Sequence, residues 1–147
     1  MRIIVDTCAW SRVFSASDKN HSEFEPVLKA IRTRVCNLQW GGSKYLAELR
    51  KCPKYMGIHV ELQKQGSATR LPKELVDAAT EIVAKLESDP DFDDAHLLGL
   101  QIVSKSHVVC THDARSHKFL KKKSLYPKRH RRPKLYSGLA SKALIEN

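Results

Sequence analysis

The sequence predicts a three-layer α/β/α fold with a central parallel sheet of four or five strands. Short β-branched runs alternate along the chain with amphipathic helical segments. Parallel strands need crossover connections, and these are nearly always helical. The chain has 147 residues, of which 41% are hydrophobic and 29% charged, with six Gly and six Pro. This length and composition predict one globular domain and exclude a disordered or collagen-like chain.

The first predicted strand and helix lie near the amino-terminal end. Residues 2–5 form a β-branched run that predicts a buried strand ending at Asp6. Ser22 and Glu25 fit a capping box, which predicts a helix that begins there and keeps Pro26 inside its first turn.

The middle of the chain predicts a second strand and two further helices. The second strand covers residues 35–40, and the glycines behind it lead into a helix that Pro53 interrupts. Residues 66–71 are expected to be a polar connection. Pro72 then opens the clearest amphipathic helix. Its apolar face consists of Leu75, Val76, Ala79, Ile82, Val83 and Leu86.

The last predicted elements are a helix over residues 94–104 and a strand over residues 107–110. We expect a catalytic unit over residues 1–120 and a basic extension over residues 121–147, packed on the same domain or trailing from it. Trp10 and Trp40 are expected to pack in or beside the core. Four cysteines without a CxxC spacing are expected to be reduced, small hydrophobic side chains.

The positive charge is confined to the last quarter of the chain. Residues 1–113 hold 15 basic and 15 acidic residues, whereas residues 114–147 hold 11 basic residues and only Glu146 as an acid. Such an end favours a polyanion partner, with a solvated tail as the alternative. The residues expected to contact nucleic acid are Lys44, Arg115, Lys121, Lys122, Lys123, Lys128, Arg129, Arg131 and Arg132.

Four carboxylates are expected at the edge where open α/β sheets bind ligands. Asp6 and Asp113 each follow a predicted strand, Asp94 begins a helix, and Glu48 lies on a helix that could return to the same edge. Carboxylates that share a site repel each other unless cations lie between them. Oxygen ligands of this kind suit Mg²⁺ or Mn²⁺.

Each of these acids also has a simpler explanation. Asp6 could form a turn. Glu48 could pair with Lys51 or Lys44 on its own helix. Asp113 could cap the next helix.

The helix that follows Asp94 needs its own cap, and the histidines nearby need a role. We expect Asp93 or Asp91 to cap this helix, which leaves Asp94 facing the site. His96 and His107 are expected to be satisfied structural groups rather than ligands.

Four motifs in order resemble the PIN-domain nucleases across roughly residues 1–120. They are Ile3-Ile4-Val5-Asp6-Thr7-Cys8, Lys44-Tyr45-Leu46-Ala47-Glu48-Leu49, Asp94-Ala95-His96-Leu97-Leu98-Gly99-Leu100 and Val108-Val109-Cys110-Thr111-His112-Asp113. Two positions depart from the family pattern: Cys8 stands where a polar Asn or Ser is frequent, and Gln101 ends a helix stretch that is usually rich in Ala. Neither departure removes an acid.

The resemblance implies a metal-dependent endoribonuclease, with Asp6, Glu48, Asp94 and Asp113 as catalytic metal ligands and Mg²⁺ or Mn²⁺ as the cofactor. Thr7, Thr111 and Asp93 are then expected to lie behind the ligands as supporting residues. The family includes many toxins of toxin–antitoxin pairs, which implies an RNA substrate and an inhibitor protein as a partner. We also expect a homodimer, no membrane segment and a cytoplasmic location.

Two other functions compete with the nuclease. A catalytically silent nucleic-acid-binding module would use the same acids for structure alone. A phosphatase could use Asp6 as a covalent nucleophile. Haloacid-dehalogenase-like sites of that kind usually carry a second Asp two residues later, where this chain has Cys8.

Overall fold

All five strands form one parallel sheet in the order β3-β2-β1-β4-β5. A computed structural model describes residues 1–146, so Asn147 at the end of the predicted extension lies outside the described residues. The strands are β1 (Arg2–Val5), β2 (Asn37–Gly41), β3 (Ala68–Leu71), β4 (Val108–Cys110) and β5 (Lys134–Tyr136). The predicted fold class is confirmed.

Helices cover both faces of this sheet. They are α1 (Trp10–Phe14), α2 (His21–Arg32), α3 (Ser43–Lys51), α4 (Pro53–Lys64), α5 (Lys73–Leu86), α6 (Ala95–Ser104) and α7 (Ala114–Leu120). Right-handed crossovers place α1 to α4 on one face and α5 to α7 on the other. Among residues 1–146, none of the helices has the length and apolar character that a membrane span requires.

The core lies on both sides of the central strand. Ile3, Ile4 and Val5 are completely buried, which is the pattern of a parallel strand covered on two faces. Trp10 and Trp40 are also buried, so both tryptophans are part of the core as predicted.

The chain reverses its winding direction between β1 and β4. From β1 it builds β2 and β3 outward on one side, and it then crosses over to place β4 and β5 on the other side of β1. Val5 pairs with Cys110, and the Asp6 amide donates to the Cys110 carbonyl at 2.9 Å. Such a reversal opens a crevice at the carboxyl ends of the two strands, where open α/β sheets bind ligands.

The predicted start of α2 is wrong. The helix begins at His21, Asn20 occupies the N-cap position, and Ser22 makes no capping hydrogen bond. The carboxylate of Asp18 accepts the Asn20 amide at 2.8 Å and forms the turn that starts the helix early. Pro26 is therefore the sixth residue of the helix and lies beyond its first turn.

Two strands of the sheet, β3 and β5, are not predicted from the sequence. The polar connection predicted over residues 66–71 is wrong, because Ala68–Leu71 pairs with β2 as an edge strand whose Thr69 and Arg70 are exposed. Lys134–Tyr136, inside the predicted basic extension (residues 121–147, called the basic segment below), pairs with β4 as the other edge strand. The basic segment therefore contributes a strand to the same sheet as the acids.

Helices α5 and α6 meet at a glycine. A Cβ atom on Gly99 would lie 2.7 Å from the Thr80 amide nitrogen and 2.9 Å from the Thr80 Cα atom, so the α5 backbone itself blocks it. Gly57, on α4, would place a Cβ with no other atom within 4 Å.

We predict opposite effects for alanine at these two helical glycines. Gly99→Ala should lower the free energy of unfolding by about 1–3 kcal/mol, because the two helices must move apart. Gly57→Ala, the matched control, should raise it by about 0.5–1 kcal/mol through helix propensity. Urea unfolding of both variants measures the difference. Equal stability of the two variants would contradict the close packing of α5 on α6.

Candidate functional site

The candidate site is the crevice between the carboxyl ends of β1 and β4. Asp6 directly follows β1, and Asp113 lies three residues beyond the end of β4. Helix α6 leads down into β4, so its first turn, with Asp94, lies at the same edge. The sheet topology thus brings three of the predicted acids to one place.

Asp6 is the most deeply placed of these acids. Its side chain is 5% exposed. One carboxylate oxygen accepts a hydrogen bond from the Thr111 hydroxyl at 2.9 Å and one from the Cys8 thiol at 3.4 Å. The other accepts from the Thr7 hydroxyl at 3.3 Å. Thr7 and Thr111 therefore support this carboxylate, and no Lys or Arg among residues 1–146 forms an ion pair with it.

Asp94 carries the clearest electrostatic perturbation. Burial is the largest cause that raises the pKa of its carboxyl to about 6, and the negative charges of Asp6, Asp93 and Asp113 act in the same direction. Lys44 partly opposes them, but its ammonium group donates to the Asp93 carbonyl at 2.8 Å. Asp6, Asp93 and Asp113 are therefore close enough to Asp94 to repel its charge.

The expected capping of α6 by Asp93 or Asp91 is wrong. Asp94 itself occupies the N-cap position, and its side chain makes no capping hydrogen bond. The Asp91 amide donates instead to Asp89 in the preceding turn. The Asp94 carboxylate consequently remains available to a ligand.

The alternative roles weighed for two of the acids are visible in the structure. Asp113 caps α7 by accepting the Arg115 amide at 3.0 Å, and the Arg115 guanidinium lies 3.5 Å from the same oxygen. Glu48 lies 3.7 Å from the Lys51 ammonium group on its own helix. Each contact uses one carboxylate oxygen and leaves the other unbonded.

The donor chemistry of the site fits a hard divalent cation, whereas the side-chain positions do not enclose one. Asp6, Asp94 and Asp113 offer only carboxylate oxygens, which Mg²⁺ and Mn²⁺ prefer. Within residues 1–146, however, no three Asp, Glu, His or Cys side chains are arranged so that they could hold a metal ion together. Repelling carboxylates spread apart unless a cation draws them inward, so a site for an ion here requires side-chain rotation.

His96 is the residue that sequence reasoning missed. The prediction that its ring is hydrogen-bonded is wrong at Nδ1, because this atom is buried and has no hydrogen-bond partner in the protein. Burial lowers its pKa to about 4, although the charges of Asp6, Glu48 and Asp93 act in the opposite direction. The effect of the Glu48 charge on His96 also places Glu48 near the sheet edge that carries Asp6, Asp94 and Asp113, which we call the acidic edge. The only sequence signal for His96 is its position two residues after Asp94.

The other histidines behave differently. His107 accepts the Arg2 amide at 3.1 Å, as expected of a structural group. Buried His59 is bonded at both ring nitrogens, to the Tyr55 carbonyl at 2.7 Å and the Tyr45 hydroxyl at 2.9 Å. His112 contacts the Cys8 carbonyl at 2.6 Å and fixes the turn behind Asp6.

The residues predicted to contact nucleic acid divide between two places. Lys44 and Arg115 lie at the acidic edge. Lys44 donates there to the Asp93 carbonyl, and Arg115 donates to the Asp113 carboxylate. The remaining seven belong to residues 121–132, beyond the far end of α7. Among them Lys122 pairs with Glu87 at 2.5 Å, and Arg132 donates to the Lys121 carbonyl at 2.5 Å.

We predict that removing the Asp94 charge stabilises the protein in EDTA. A carboxyl whose pKa is raised in the fold contributes stability below its unfolded value of 3.8, and that stability is lost as pH rises through about 6. Asp94→Asn should therefore raise the free energy of unfolding at pH 7 by about 1 kcal/mol, discounted for partial exposure. Urea unfolding at pH 7 and pH 4 measures it. The control Asp91→Asn should change little, and a destabilised Asp94→Asn would contradict the repulsion.

The two buried histidines provide a matched pair for a second prediction. His96→Leu removes an unpartnered polar atom and should raise the free energy of unfolding by about 1–2 kcal/mol at pH 7. His59→Leu should lower it by a similar amount, because its two hydrogen bonds are removed.

Acid titration provides a further check on this pair. Burial lowers the pKa of His59 to about 4, so the wild-type protein loses stability as pH falls from 6.5 to 4. His59→Leu should reduce that loss. Equal effects of the two leucine substitutions at pH 7 would contradict the difference in hydrogen bonding.

Comparison with family models, curated proteins and solved structures returns no match to this chain. The likeness to PIN-domain nucleases therefore rests on the motifs and on the position of the acids alone. The function has to be argued from the geometry of the acidic edge and from the charge distribution.

Proposed function

We propose that this protein is a divalent-metal-dependent endoribonuclease that hydrolyses RNA phosphodiester bonds at the acidic edge. The convergence of Asp6, Asp94 and Asp113 at the crevice between β1 and β4 carries this proposal. The deepest of these carboxylates, Asp6, lies at the edge where open α/β sheets bind ligands, and no Lys or Arg among residues 1–146 pairs with it. The raised pKa of Asp94 also supports the proposal.

In this proposal Asp6, Asp94 and Asp113 hold the ion, and Glu48 joins them from α3. A bound Mg²⁺ or Mn²⁺ would supply Lewis acidity to the scissile phosphate and to the attacking water. Thr111 and Thr7 hold the Asp6 carboxylate in place through their hydroxyl groups. Lys44 and Arg115 lie close enough to the acids to orient a phosphate of the substrate.

A partner protein and a second copy of the chain belong to the same proposal. Leu75, Ile82 and Leu86 form a stripe on α5 in which each side chain is more than half exposed. This apolar stripe supports the expected homodimer. An inhibitor protein, a toxin or defence role and a cytoplasmic location remain predictions from the sequence.

The alternative is a silent nucleic-acid-binding module with the same fold. The capping bond of Asp113 and the Glu48–Lys51 pair favour it, because they give two of the acids structural roles. Such a module would bind RNA equally well with and without Mn²⁺, and its acids would be dispensable for that binding.

We predict that the protein cleaves RNA in Mn²⁺ or Mg²⁺ and that cleavage stops in EDTA. Asp6→Asn should reduce turnover by at least a hundredfold, because a proposed ion ligand loses its charge while the side chain keeps its size and one acceptor oxygen. Cleavage is followed by mapping the ends produced from total RNA. Asp91→Asn serves as the control of equal charge and should retain full activity.

Two outcomes would contradict the nuclease. Full turnover by Asp6→Asn or in excess EDTA would exclude a role for the acidic edge. Undetectable cleavage together with metal-independent RNA binding would identify the silent module instead.

A further inference from the structure

A second charged surface lies on this protein, and it is a cleft of about 970 Å³. We call it the basic cleft. Its lining contains seven basic residues and no acidic one: Lys121, Lys123, Lys128, Arg129, Arg131, Arg132 and Lys134. Nothing in the proposed cleavage chemistry uses it.

The basic cleft lies at the amino ends of the strands, whereas the acids lie at their carboxyl ends. Lys134 pairs with Val108, the first residue of β4, whereas Asp6 and Asp113 lie beyond the last residues of β1 and β4. Helix α7 separates the two places and has seven residues, which is about 10 Å of rise. One phosphate group therefore cannot occupy both surfaces.

The loop that carries the basic cleft is held in one conformation by Gln101, which is fully buried at the end of α6. Its amide nitrogen donates to the Ser106 carbonyl at 2.9 Å and the Arg131 carbonyl at 3.2 Å, and its oxygen contacts His130 Nε2 at 2.8 Å. A loop fixed in this way has a smaller entropy cost of ordering when it binds a ligand. Gln101 is one of the two departures from the family pattern, and the structure gives it this role.

The cleft offers little aromatic surface on which bases could stack, because only Tyr126 and His130 of its lining carry aromatic rings and these two are stacked on each other. Tyr126 is 7% exposed, its ring is stacked on His130 at 5.6 Å, and its hydroxyl donates to the Leu120 carbonyl. Proteins that bind single strands use exposed aromatic rings together with a basic track along the backbone. The basic cleft therefore offers mainly positive charge, which suits the backbone of a double helix.

No continuous basic track joins the cleft to the acidic edge within residues 1–146. The segment between α5 and α6 runs alongside α7, where Glu87 pairs with Lys122 at 2.5 Å and Asp89 pairs with Lys118 at 3.2 Å. The same segment also exposes Asp91 and Asp93. A single strand lying flat between the two surfaces would therefore meet neutralised lysines and free carboxylates.

We propose that the basic cleft is a separate binding site for the phosphate backbone of base-paired RNA. A rigid stem docked there can leave the protein surface and pass over the acidic segment, while an unpaired part of the same molecule reaches the acidic edge. The choice of RNA and the second half of this statement rest on the proposed nuclease function, whereas binding of a duplex backbone by the cleft does not.

The test compares two triple variants that remove the same amount of charge. Lys121→Gln/Lys128→Gln/Arg131→Gln removes three of the seven positive charges of the cleft, and Lys19→Gln/Lys29→Gln/Lys64→Gln removes three exposed lysines elsewhere. Binding is measured in EDTA against an RNA hairpin with a long stem and against a uridine strand of equal length. Circular dichroism and urea unfolding confirm that both variants fold.

The cleft variant should bind the hairpin roughly a hundredfold more weakly than the wild type at about 0.1 M salt. Its plot of log affinity against log salt should flatten by about 0.9 for each phosphate that the variant no longer neutralises. The control variant and Asp6→Asn should keep wild-type hairpin affinity. Gln101→Met should weaken hairpin binding although it removes no charge, because the loop is no longer anchored to α6.

Three results would overturn the proposal. They are wild-type hairpin affinity in the cleft variant, an equal loss of affinity in the control variant, and tighter binding of the uridine strand than of the hairpin. Failure of the proposed nuclease function gives a different result from failure of the cleft proposal. If the protein is not a nuclease, no cleavage is seen in Mn²⁺, but the wild type still binds the hairpin in EDTA and the cleft variant still loses affinity.

Discussion

The buried carboxylate of Asp6 is the constraint on which the rest of the site depends. A charge at the end of the central strand loses most of its hydration, so the protein must replace water with donors. Thr111, Thr7 and the Cys8 thiol provide them. Burial and the Asp6 charge raise the pKa of Cys8 to about 11, so its thiol keeps its proton and remains a donor. Cys8 therefore performs the role of the polar residue that the resemblance leads one to expect.

The elements that the sequence predicts well are those with a strong local pattern. Strand β1 contains three completely buried β-branched residues in a row, and seven of the ten residues of α6 are apolar or glycine. Strand β3 carries no such pattern because it is an edge strand with two exposed polar residues. Strand β5 is hidden in the basic segment, where pairing with β4 rather than local sequence decides its structure. Both missed strands are edges, where neighbours on one side alone hold the backbone.

The place where the acids meet can be predicted from the sequence, but the electrostatics there cannot. The rule that acids following parallel strands meet at one edge places Asp6 and Asp113 correctly. Capping cannot be assigned in this way, because Asp91, Asp93 and Asp94 are equivalent in sequence and the loop path selects among them. The unpartnered Nδ1 atom of His96 depends on the packing of α6 against its neighbours, which no local pattern encodes.

The separation of the two charged surfaces follows from the same electrostatic argument. Had the seven basic residues of the cleft lain beside the acids, ion pairs would have formed between them, and neither a cation nor a phosphate would find a free partner. Helix α7 prevents this by leading the chain from the acidic edge to the amino ends of the strands, where the residues that line the cleft precede and begin β5. Glu87 and Asp89 show the alternative outcome, because they lie within reach of Lys122 and Lys118 and are paired with them. The fold therefore separates the acidic edge from the seven basic residues of the cleft by the length of α7.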